Sequence, residues 1–259
     1  MNEYSKKTAH IIPPDGERPD PAADNQKQCP ICLNFVSEYG SFGSQARQNA
    51  KCPHCNSLER HRALWLYLVN HTRIISGQSE PLSIKLLHFA PEKVLYGKFA
   101  ALSGIDYYPV DIDPDRYKDI RDVIDIQDIE YEDCMFDIII CSHVFEHVPD
   151  DHTAMRELRR VLKKDGTAFI LSPVSYTLEL TLEESGYNTP ELRKQYYGQH
   201  DHLRRYGRDF PARLSKAGFC VKEINMSREV DGQTYDTARY GLKEGSKIYI
   251  CTHYDKKAR

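Results

Sequence analysis

Two pairs of cysteines near the beginning of the chain constrain its fold more than any other feature. Cys29 and Cys32 form one C-x-x-C pair, and Cys52 and Cys55 form a second pair after nineteen intervening residues. A two-residue gap lets one tight turn direct two thiolates at the same metal ion, and two such turns complete a tetrahedral site. We therefore predict a zinc ribbon over residues 28–56 with a structural Zn²⁺, because four thiolates leave no open coordination position.

The overall charge and the hydropathy pattern argue against several classes of protein. The formal net charge is −3 over 259 residues, which gives no general attraction to a nucleic-acid backbone. No apolar run is long enough to span a membrane, and the first residues lack the apolar stretch of a signal peptide. We therefore predict a cytoplasmic protein, in which the cysteines stay reduced or bind metal rather than form disulfides.

The chain is predicted to divide into a leader, the ribbon, a linking helix and a larger domain. Residues 1–27 are polar and aperiodic and predict a disordered leader. Residues 57–80 predict a helix that links the ribbon to a domain over residues 81–259. Ser57 is the expected N-cap of this helix, and Glu59 suits the positive end of its dipole.

The larger domain alternates strand-like and helical apolar patterns, which is typical of a parallel sheet with crossover helices. The predicted strands cover residues 84–90, 107–112, 136–142, 167–173, 219–224 and 247–254. The predicted helices cover residues 92–102, 151–162 and 210–217, the last ended by a glycine. The polar and aromatic segment 176–207 interrupts the alternation, and we expect it to cover the substrate.

Ligands of an open parallel sheet bind beyond the carboxyl ends of its strands. Asp111 follows the second predicted strand, where a carboxylate can accept hydrogen bonds from both hydroxyls of a ribose. Asp125 lies beside Ile126 farther along the chain, and this pair suits the amino group and the ring of an adenine. The sequence therefore predicts a site for a ribose and an adenine at this edge.

The succession of four motifs carries a family resemblance. The runs VDIDP, DIQDI, FDIIICSHVFEHVPDD and LRRVLKKDGTAFILSP resemble those of class I methyltransferases that use S-adenosylmethionine (SAM), especially the methyltransferase type 11-like subgroup. The resemblance implies an α/β fold, with a Rossmann-like seven-stranded methyltransferase sheet and helices on both faces. It also implies roles in SAM binding: Asp111 for the ribose, Ile112 and Ile126 for the adenine faces, Asp125 for the adenine amino group, and Ser142 and His143 for the methionine part.

The loop after the first strand departs from the glycine-rich pattern of this family. It reads HFAPE, and no glycine occurs before Gly97. Ala90 is small enough to replace one glycine, and Pro91 can set the turn before a helix. Glu92 can contact the amino group of the cofactor or stabilise the start of the helix. We expect His88, Ala90, Pro91 and Glu92 to line the cofactor site.

Three histidines are candidates for the base in catalysis. Methyl transfer is an in-line displacement at an activated carbon, so the protein mainly aligns the reactants and accepts a proton. His147 follows the predicted strand 136–142, and His200 and His202 lie in the polar run GQHDHLRRYG. A structural interpretation remains open, since Asp201 and Arg204 suit a loop anchor and His147 suits a helix start. The His-Asp-His run also suggests a metal site, but the pattern around it gives no support.

The leading functional interpretation is methyl transfer from SAM to an oxygen or nitrogen atom of a small-molecule or saccharide-like acceptor. One alternative is an RNA or protein methyltransferase that recruits its substrate through the ribbon. Another is a SAM-fold binding module without transfer activity. A local charge of +3 over residues 28–75 is a weak indication of nucleic-acid binding, with Glu38 and Glu59 set against five basic residues: Arg47, Lys51, Arg60, Arg62 and Arg73.

Overall fold

The computed structural model of the chain describes residues 26–43, 46–72, 74–75, 83–117 and 119–254. The predicted leader falls outside the described residues except for its last two positions, and so does the end of the predicted linking segment. The chain forms two compact units. Within the described residues, the first unit comprises 26–75, 93–105 and 224–248, and the second comprises 83–92, 106–223 and 249–254.

Short strands precede a longer alternation of strands and helices. The elements are β1 Lys27–Gln28, β2 Phe35–Val36, β3 Gly40–Phe42, β4 Arg47–Lys51, α1 Glu59–His71, β5 Ile84–Phe89, α2 Lys93–Phe99, β6 Ile105–Asp111, β7 Asp122–Val123, β8 Phe136–Ser142, α3 Asp151–Val161, β9 Leu162–Leu171, α4 Pro190–Tyr197, α5 Phe210–Lys216, β10 Cys220–Asn225, α6 Thr237–Tyr240 and β11 Lys247–Thr252. In the part of the chain that the structure describes, no helix has the length and apolarity needed to cross a bilayer.

Seven of these strands form one sheet in the order β10-β11-β9-β8-β5-β6-β7. The pairs β5–β8, β6–β7 and β8–β9 are parallel, and β11 is antiparallel to β9. The strand order reverses between β5 and β8, because the chain continues from β5 to one edge of the sheet and from β8 to the other. This sheet confirms the predicted Rossmann-like fold.

The central strands are the most buried because they are almost wholly apolar. Ile139 and Ile140 of β8 and Leu87 of β5 have no exposed surface, as expected for strands covered on both faces. Helix α3 contributes Met155 and Leu158, among others, to the same core. Its N-cap Asp150 accepts a hydrogen bond from the Thr153 N–H.

Strand β9 begins five residues earlier than the sequence pattern predicts. The polar run Lys163–Asp165 is typical of a turn, but Leu162 is buried and pairs with Phe136 of β8. The next pair is Ile138 with Thr167, so β9 carries three more residues than β8 between these two pairs. This irregularity accommodates the polar residues, so α3 passes into β9 without a separate loop.

The start of α1 also differs from the expectation. Leu58 takes the N-cap position rather than Ser57, and its N–H donates to His61 Nδ1 at 3.1 Å. The Ser57 hydroxyl lies 3.3 Å from the sulfur of Cys29 and 3.2 Å from that of Cys55. The Ser57 hydroxyl therefore contacts the cysteine cluster and does not cap α1.

The fully buried side chain of Arg62 joins several segments of the first unit. Its guanidinium donates to the carbonyl oxygens of Ala50, Ser57, Tyr240 and Gly241. It also lies over the ring of Tyr39, 4.1 Å from the centroid. These bonds compensate for the loss of hydration of a buried charge.

Two of the basic residues counted toward nucleic-acid binding thus have structural roles. Arg62 is buried, and Arg47 donates two hydrogen bonds to the Glu59 carboxylate, at 2.7 and 3.0 Å. Arg73 lies outside the described residues. The number of basic residues in this region therefore overstates the positive charge available to bind a nucleic acid.

We expect Arg62→Ala to lower the free energy of unfolding by about 3 kcal/mol, because four buried carbonyl groups lose their donor. Urea denaturation followed by circular dichroism measures this loss. Lys93→Ala, at an exposed position of the same unit, is the matched control and should change stability by less than about 0.5 kcal/mol. Equal stability of the two variants would show that the Arg62 bonds contribute little.

Candidate functional site

The residues just beyond four strand ends form the candidate cofactor site. β5 ends at Phe89, β6 at Asp111, β7 at Val123 and β8 at Ser142. The parallel pairs β5–β8 and β6–β7 place their carboxyl ends at the same edge. The Ala90 N–H donates to the Val110 carbonyl oxygen at 3.0 Å, which joins the ends of β5 and β6. The structure therefore brings most of the predicted SAM-binding residues to one edge of the sheet.

Ala90 adopts the backbone conformation that glycine usually provides. Its φ is 50°, in the left-handed region, which costs a residue with a Cβ about 1 to 2 kcal/mol. The loop is held by the bond from Ala90 to Val110 and continues through buried Pro91 and half-buried Glu92. The loop thus turns through a left-handed residue although it contains no glycine.

Asp111 and Ile112 present different surfaces at the end of β6. The Asp111 side chain is buried, and its Oδ1 accepts a hydrogen bond from the Asp113 N–H at 2.9 Å. Burial raises the pKa of this carboxyl group. Ile112 is 62% exposed, so a large apolar side chain lies open beside a buried carboxylate.

The side chains of Asp125 and Ile126 have different environments in the structure. Asp125 is half-buried, and its Oδ1 accepts from the Gln127 N–H at 2.8 Å. Ile126 is buried in the hydrophobic core formed with Ile124 and Ile129. Of this pair, the carboxylate is therefore placed more favourably for a ligand than the apolar side chain.

Two histidines flank the switch between β5 and β8. His88 is buried within β5, and its Nδ1 lies 2.8 Å from the Tyr107 hydroxyl. His143 follows buried Ser142 with a φ of 57°, and its N–H donates to the Leu171 carbonyl. The left-handed turn at His143 redirects the chain away from β8 and places the imidazole over the next turn.

That next turn brings His147 and Glu146 to His202. Glu146 and His147 belong to a 3₁₀ helix, Phe145–His147, and the imidazole rings of His147 and His202 meet edge to face, 4.8 Å between centroids. The His200 side chain is 74% exposed and does not belong to this cluster. The structure therefore unites two of the three candidate catalytic histidines.

Glu146 is the member of this cluster that sequence reasoning missed. Its side chain is 1% exposed, although glutamate is rarely buried without a partner. Oε2 accepts from the Ser172 hydroxyl at 3.0 Å, and Oε1 lies 3.1 Å from His143 Nδ1. The apolar neighbours Phe145 and Val148 were the available signal, since a charge within an apolar run needs an explanation.

The ionisation of the cluster follows from burial and close partners. Burial acts to raise the pKa of Glu146, but the adjacent His143 imidazole outweighs it and lowers that pKa to about 2. Burial lowers the pKa of His202. The cluster therefore contains a buried carboxylate beside an imidazole that favours its neutral form.

Arg204 fixes the turn that carries Glu146 and His147. Its buried guanidinium donates to the carbonyl oxygens of Phe145, Val148 and Pro149. The Leu203 N–H adds a bond to the Glu146 carbonyl at 2.7 Å. The backbone beside His202 is thereby tied to the turn after β8.

The four predicted zinc ligands form a compact cluster in the first unit. Their sulfur atoms all lie within 4.8 Å of one another, with 3.6 Å between Cys29 and Cys55 and 3.8 Å between Cys32 and Cys52. A tetrahedral ion with Zn–S bonds of about 2.3 Å separates its sulfur atoms by about 3.8 Å. The cluster is consistent with a small zinc ribbon.

Residues 91–170 match a family model described as a methyltransferase domain. The match extends from the loop after β5 to the end of β9 and covers less than one third of the chain. It confirms for this segment the methyltransferase resemblance predicted from the sequence. No curated protein matches this chain.

Several solved structures share part of the fold. A chain of the Haloferax volcanii complex between a Trm112 methyltransferase activator and a candidate methyltransferase is 16% identical, with a TM-score of 0.46 over 67% of this chain and 84% of that one. YcgJ from Bacillus subtilis is 15% identical, with a TM-score of 0.42 over 74% and 96%. Haemonchus contortus phosphoethanolamine N-methyltransferase 2 with SAM is 17% identical, with a TM-score of 0.43 over 59% and 37%. These TM-scores are below 0.5, so nothing about function follows from them.

Because Ala90 has a left-handed backbone conformation, we expect the stability of the chain to depend strongly on whether the side chain at position 90 is branched. Ala90→Gly should leave the free energy of unfolding within about 0.5 kcal/mol of the parent. Glycine relieves the strain of the left-handed conformation, and this gain offsets the larger entropy that glycine loses on folding. Ala90→Val should lower it by at least about 2 kcal/mol, since a β-branched residue is an outlier there. Urea denaturation measures both, with Ala212→Val at an exposed position of α5 as the control. A valine at position 90 that costs no more than one at position 212 would contradict the left-handed turn.

Proposed function

We propose that this chain is a SAM-dependent methyltransferase that acts on an oxygen or nitrogen atom of a small-molecule or saccharide-like acceptor. The observation that carries the proposal is the family match over residues 91–170, which includes Asp111 and Asp125. Both carboxylates follow strands whose ends define the ligand-binding edge of this type of sheet. The reversal of strand order between β5 and β8 supports the same location.

The edge offers a surface suited to the nucleoside part of SAM. The buried Asp111 carboxylate would accept hydrogen bonds from the ribose hydroxyls, and exposed Ile112 would cover one adenine face. Asp125 would accept from the adenine amino group, while Ile126 would support the loop from the core. Ser142 and His143, with the loop of His88, Ala90, Pro91 and Glu92, would surround the methionine part.

The protein itself contributes little covalent chemistry to this reaction. Bound SAM supplies a methyl group already activated by its sulfonium, so the chain must align the acceptor and dispose of its proton. His147 and His202 lie beyond β8 and are candidates to accept that proton. The segment 176–207 contains His202 and helix α4, and we propose that it covers the acceptor.

The small-molecule acceptor is favoured over RNA because of the charge. The net charge of the chain is −3, and both Arg47 and Arg62 are engaged within the first unit. The ribbon of residues 28–56 is then a structural module or a protein-binding module rather than an RNA-binding module.

We expect SAM to bind the full chain and Asp111→Asn to weaken that binding about 10- to 100-fold. The substitution removes the charge that strengthens hydrogen bonds to the ribose by about 1.5 to 3 kcal/mol. Isothermal titration calorimetry measures the affinity, and Asp113→Asn, two residues farther and exposed, is the matched control. A folded chain without any heat of SAM binding would overturn the proposed function.

The class of acceptor has its own test. Transfer of a labelled methyl group from SAM to a cell metabolite extract should exceed transfer to total RNA or to a protein extract. Preferential labelling of RNA or protein would favour recruitment through the ribbon. SAM binding without transfer to any of the three would indicate a binding module.

We propose that the four clustered cysteines hold one structural Zn²⁺. Cys29 and Cys52 are buried, and Cys32 and Cys55 are half-buried, so the sulfur atoms have few other partners. Ser57 adds a hydroxyl beside two of the sulfur atoms. The ion would join the two turns of a module that has only short strands.

The purified chain should therefore contain zinc that Cys52→Ser removes, with a loss of about one ion per chain. Metal analysis by mass spectrometry after dialysis against a weak chelator measures the ratio. Cys134→Ser, at a half-buried cysteine outside the cluster, should keep the parental content. Equal zinc in both variants, or a folded parent without zinc, would contradict the site.

A further inference from the structure

We propose that Glu146, His147 and His202 form a second metal site, which binds a divalent transition-metal ion beyond the end of β8. One ligand atom from each of the three side chains lies within 4.8 Å of the others. Glu146 is 1% exposed and His202 is 4% exposed. Two imidazoles and one carboxylate are a recurrent ligand set for such ions.

Each of the three side chains has one polar atom fixed by the protein and a second available to an ion. His202 Nδ1 lies 3.3 Å from the Tyr197 carbonyl oxygen, and its buried Nε2 has no hydrogen-bond partner. Glu146 Oε2 accepts from the Ser172 hydroxyl, and its buried Oε1 lies 3.1 Å from His143 Nδ1, outside hydrogen-bond geometry. A buried polar atom without a partner, such as His202 Nε2, is rare in proteins and calls for an explanation.

The orientation of His147 follows the same arrangement. Its Nδ1 lies 3.2 Å from the Asp201 carboxylate, which leaves Nε2 as the available ring nitrogen. Metal-binding histidines typically donate their other N–H to a carboxylate or a backbone carbonyl, because this fixes the tautomer and the ring orientation. His147 has the first kind of partner and His202 has the second.

The ligand chemistry restricts the type of ion. Imidazole nitrogen favours zinc, iron, copper and nickel over calcium and magnesium, which prefer oxygen, and the carboxylate of Glu146 also suits manganese. Three protein ligands leave open positions, in contrast to the four-thiolate cluster of Cys29, Cys32, Cys52 and Cys55. An ion at the second site would therefore keep coordination positions for water or for a substrate oxygen.

The three ligand atoms would have to move closer together to bind the ion. Ligand atoms about 2.2 Å from an octahedral ion lie about 3.1 Å apart when adjacent, compared with the 4.8 Å limit here. His143 Nδ1 lies 3.1 Å from Glu146 Oε1, and the ion would replace this contact. The His143 side chain is 30% exposed, so its ring has space to turn.

The role of the ion rests on the proposed function. An acceptor hydroxyl bound at an open position loses its proton to solvent more readily, because the cation stabilises the alkoxide. The acceptor oxygen then forms a bond to the methyl carbon as the carbon–sulfur bond of SAM breaks, which yields the methyl ether and S-adenosylhomocysteine. His147 and His202 act as ligands in this scheme, not as bases.

Mn²⁺ is a suitable probe because its preference for nitrogen and oxygen ligands directs it away from the four thiolates. The full zinc-loaded chain is titrated with Mn²⁺ without SAM, and free Mn²⁺ is measured from its electron paramagnetic resonance spectrum. We expect one bound Mn²⁺ per chain. His202→Ala and His147→Ala should each weaken binding at least about tenfold.

His152→Ala is the matched control, since His152 lies in α3 outside the cluster, and it should change the affinity less than twofold. Near-ultraviolet circular dichroism and zinc content report on folding. If His202→Ala does not fold, His147→Ala suffices, because that side chain is 27% exposed. Absence of Mn²⁺ binding by the parent would overturn the site, as would parental affinity in a folded His147→Ala variant.

This experiment separates the metal site from the proposed function. Mn²⁺ binding is measured without SAM, and SAM binding depends on Asp111 rather than on the cluster. Mn²⁺ binding without SAM binding would uphold the metal site and overturn the methyltransferase. SAM binding without Mn²⁺ binding would uphold the SAM site and overturn the metal site. His147 and His202 would then remain candidate bases.

Discussion

The geometry beyond β8 depends on the buried guanidinium of Arg204. A buried charge is tolerated only when its hydrogen-bonding groups are satisfied. Arg204 achieves this through the carbonyls of Phe145, Val148 and Pro149 and through the Glu183 carboxylate, which accepts from Nε at 3.0 Å. Those carbonyls belong to a tight turn, in which the Phe145 carbonyl also accepts from the Val148 N–H at 3.3 Å. Arg204 thereby ties the turn to the segment that returns to it, and this association brings Glu146, His147 and His202 into one cluster.

The fold was largely predictable because its signals are local. Alternating apolar strands and helices, and the spacing of four cysteines, are properties of short stretches of sequence. The misplaced features depended on contacts between distant residues. Strand β9 starts at Leu162 because that residue pairs with Phe136, and Ser57 does not cap α1 because its hydroxyl lies beside the cysteine sulfurs.

The candidate site was predictable in part for the same reason. His147 and His202 were each identifiable as polar residues in functional segments, but their ring contact joins positions separated by more than fifty residues. Glu146 was missed because a glutamate beside a histidine usually belongs to a solvated surface. Its burial results from the return of the chain through Leu203, whose N–H bonds to the Glu146 carbonyl.

Two residues with positive φ values lie at the proposed cofactor-binding edge of the sheet. Ala90 after β5 and His143 after β8 both have positive φ values, 50° and 57°, and the two strands are neighbours at the reversal of strand order. Each turn comes directly after the last residue of its strand and changes the direction of the chain there. Neither residue is a glycine, and each turn costs about 1 to 2 kcal/mol that the surrounding hydrogen bonds must offset. Positive φ values at non-glycine residues also occur elsewhere in the described chain, at Leu33, Ala46, Asn49, Asn56, Cys134 and Asp231. What distinguishes Ala90 and His143 is their place, because they follow the two adjacent strands at which the strand order reverses, where an open parallel sheet binds its ligands.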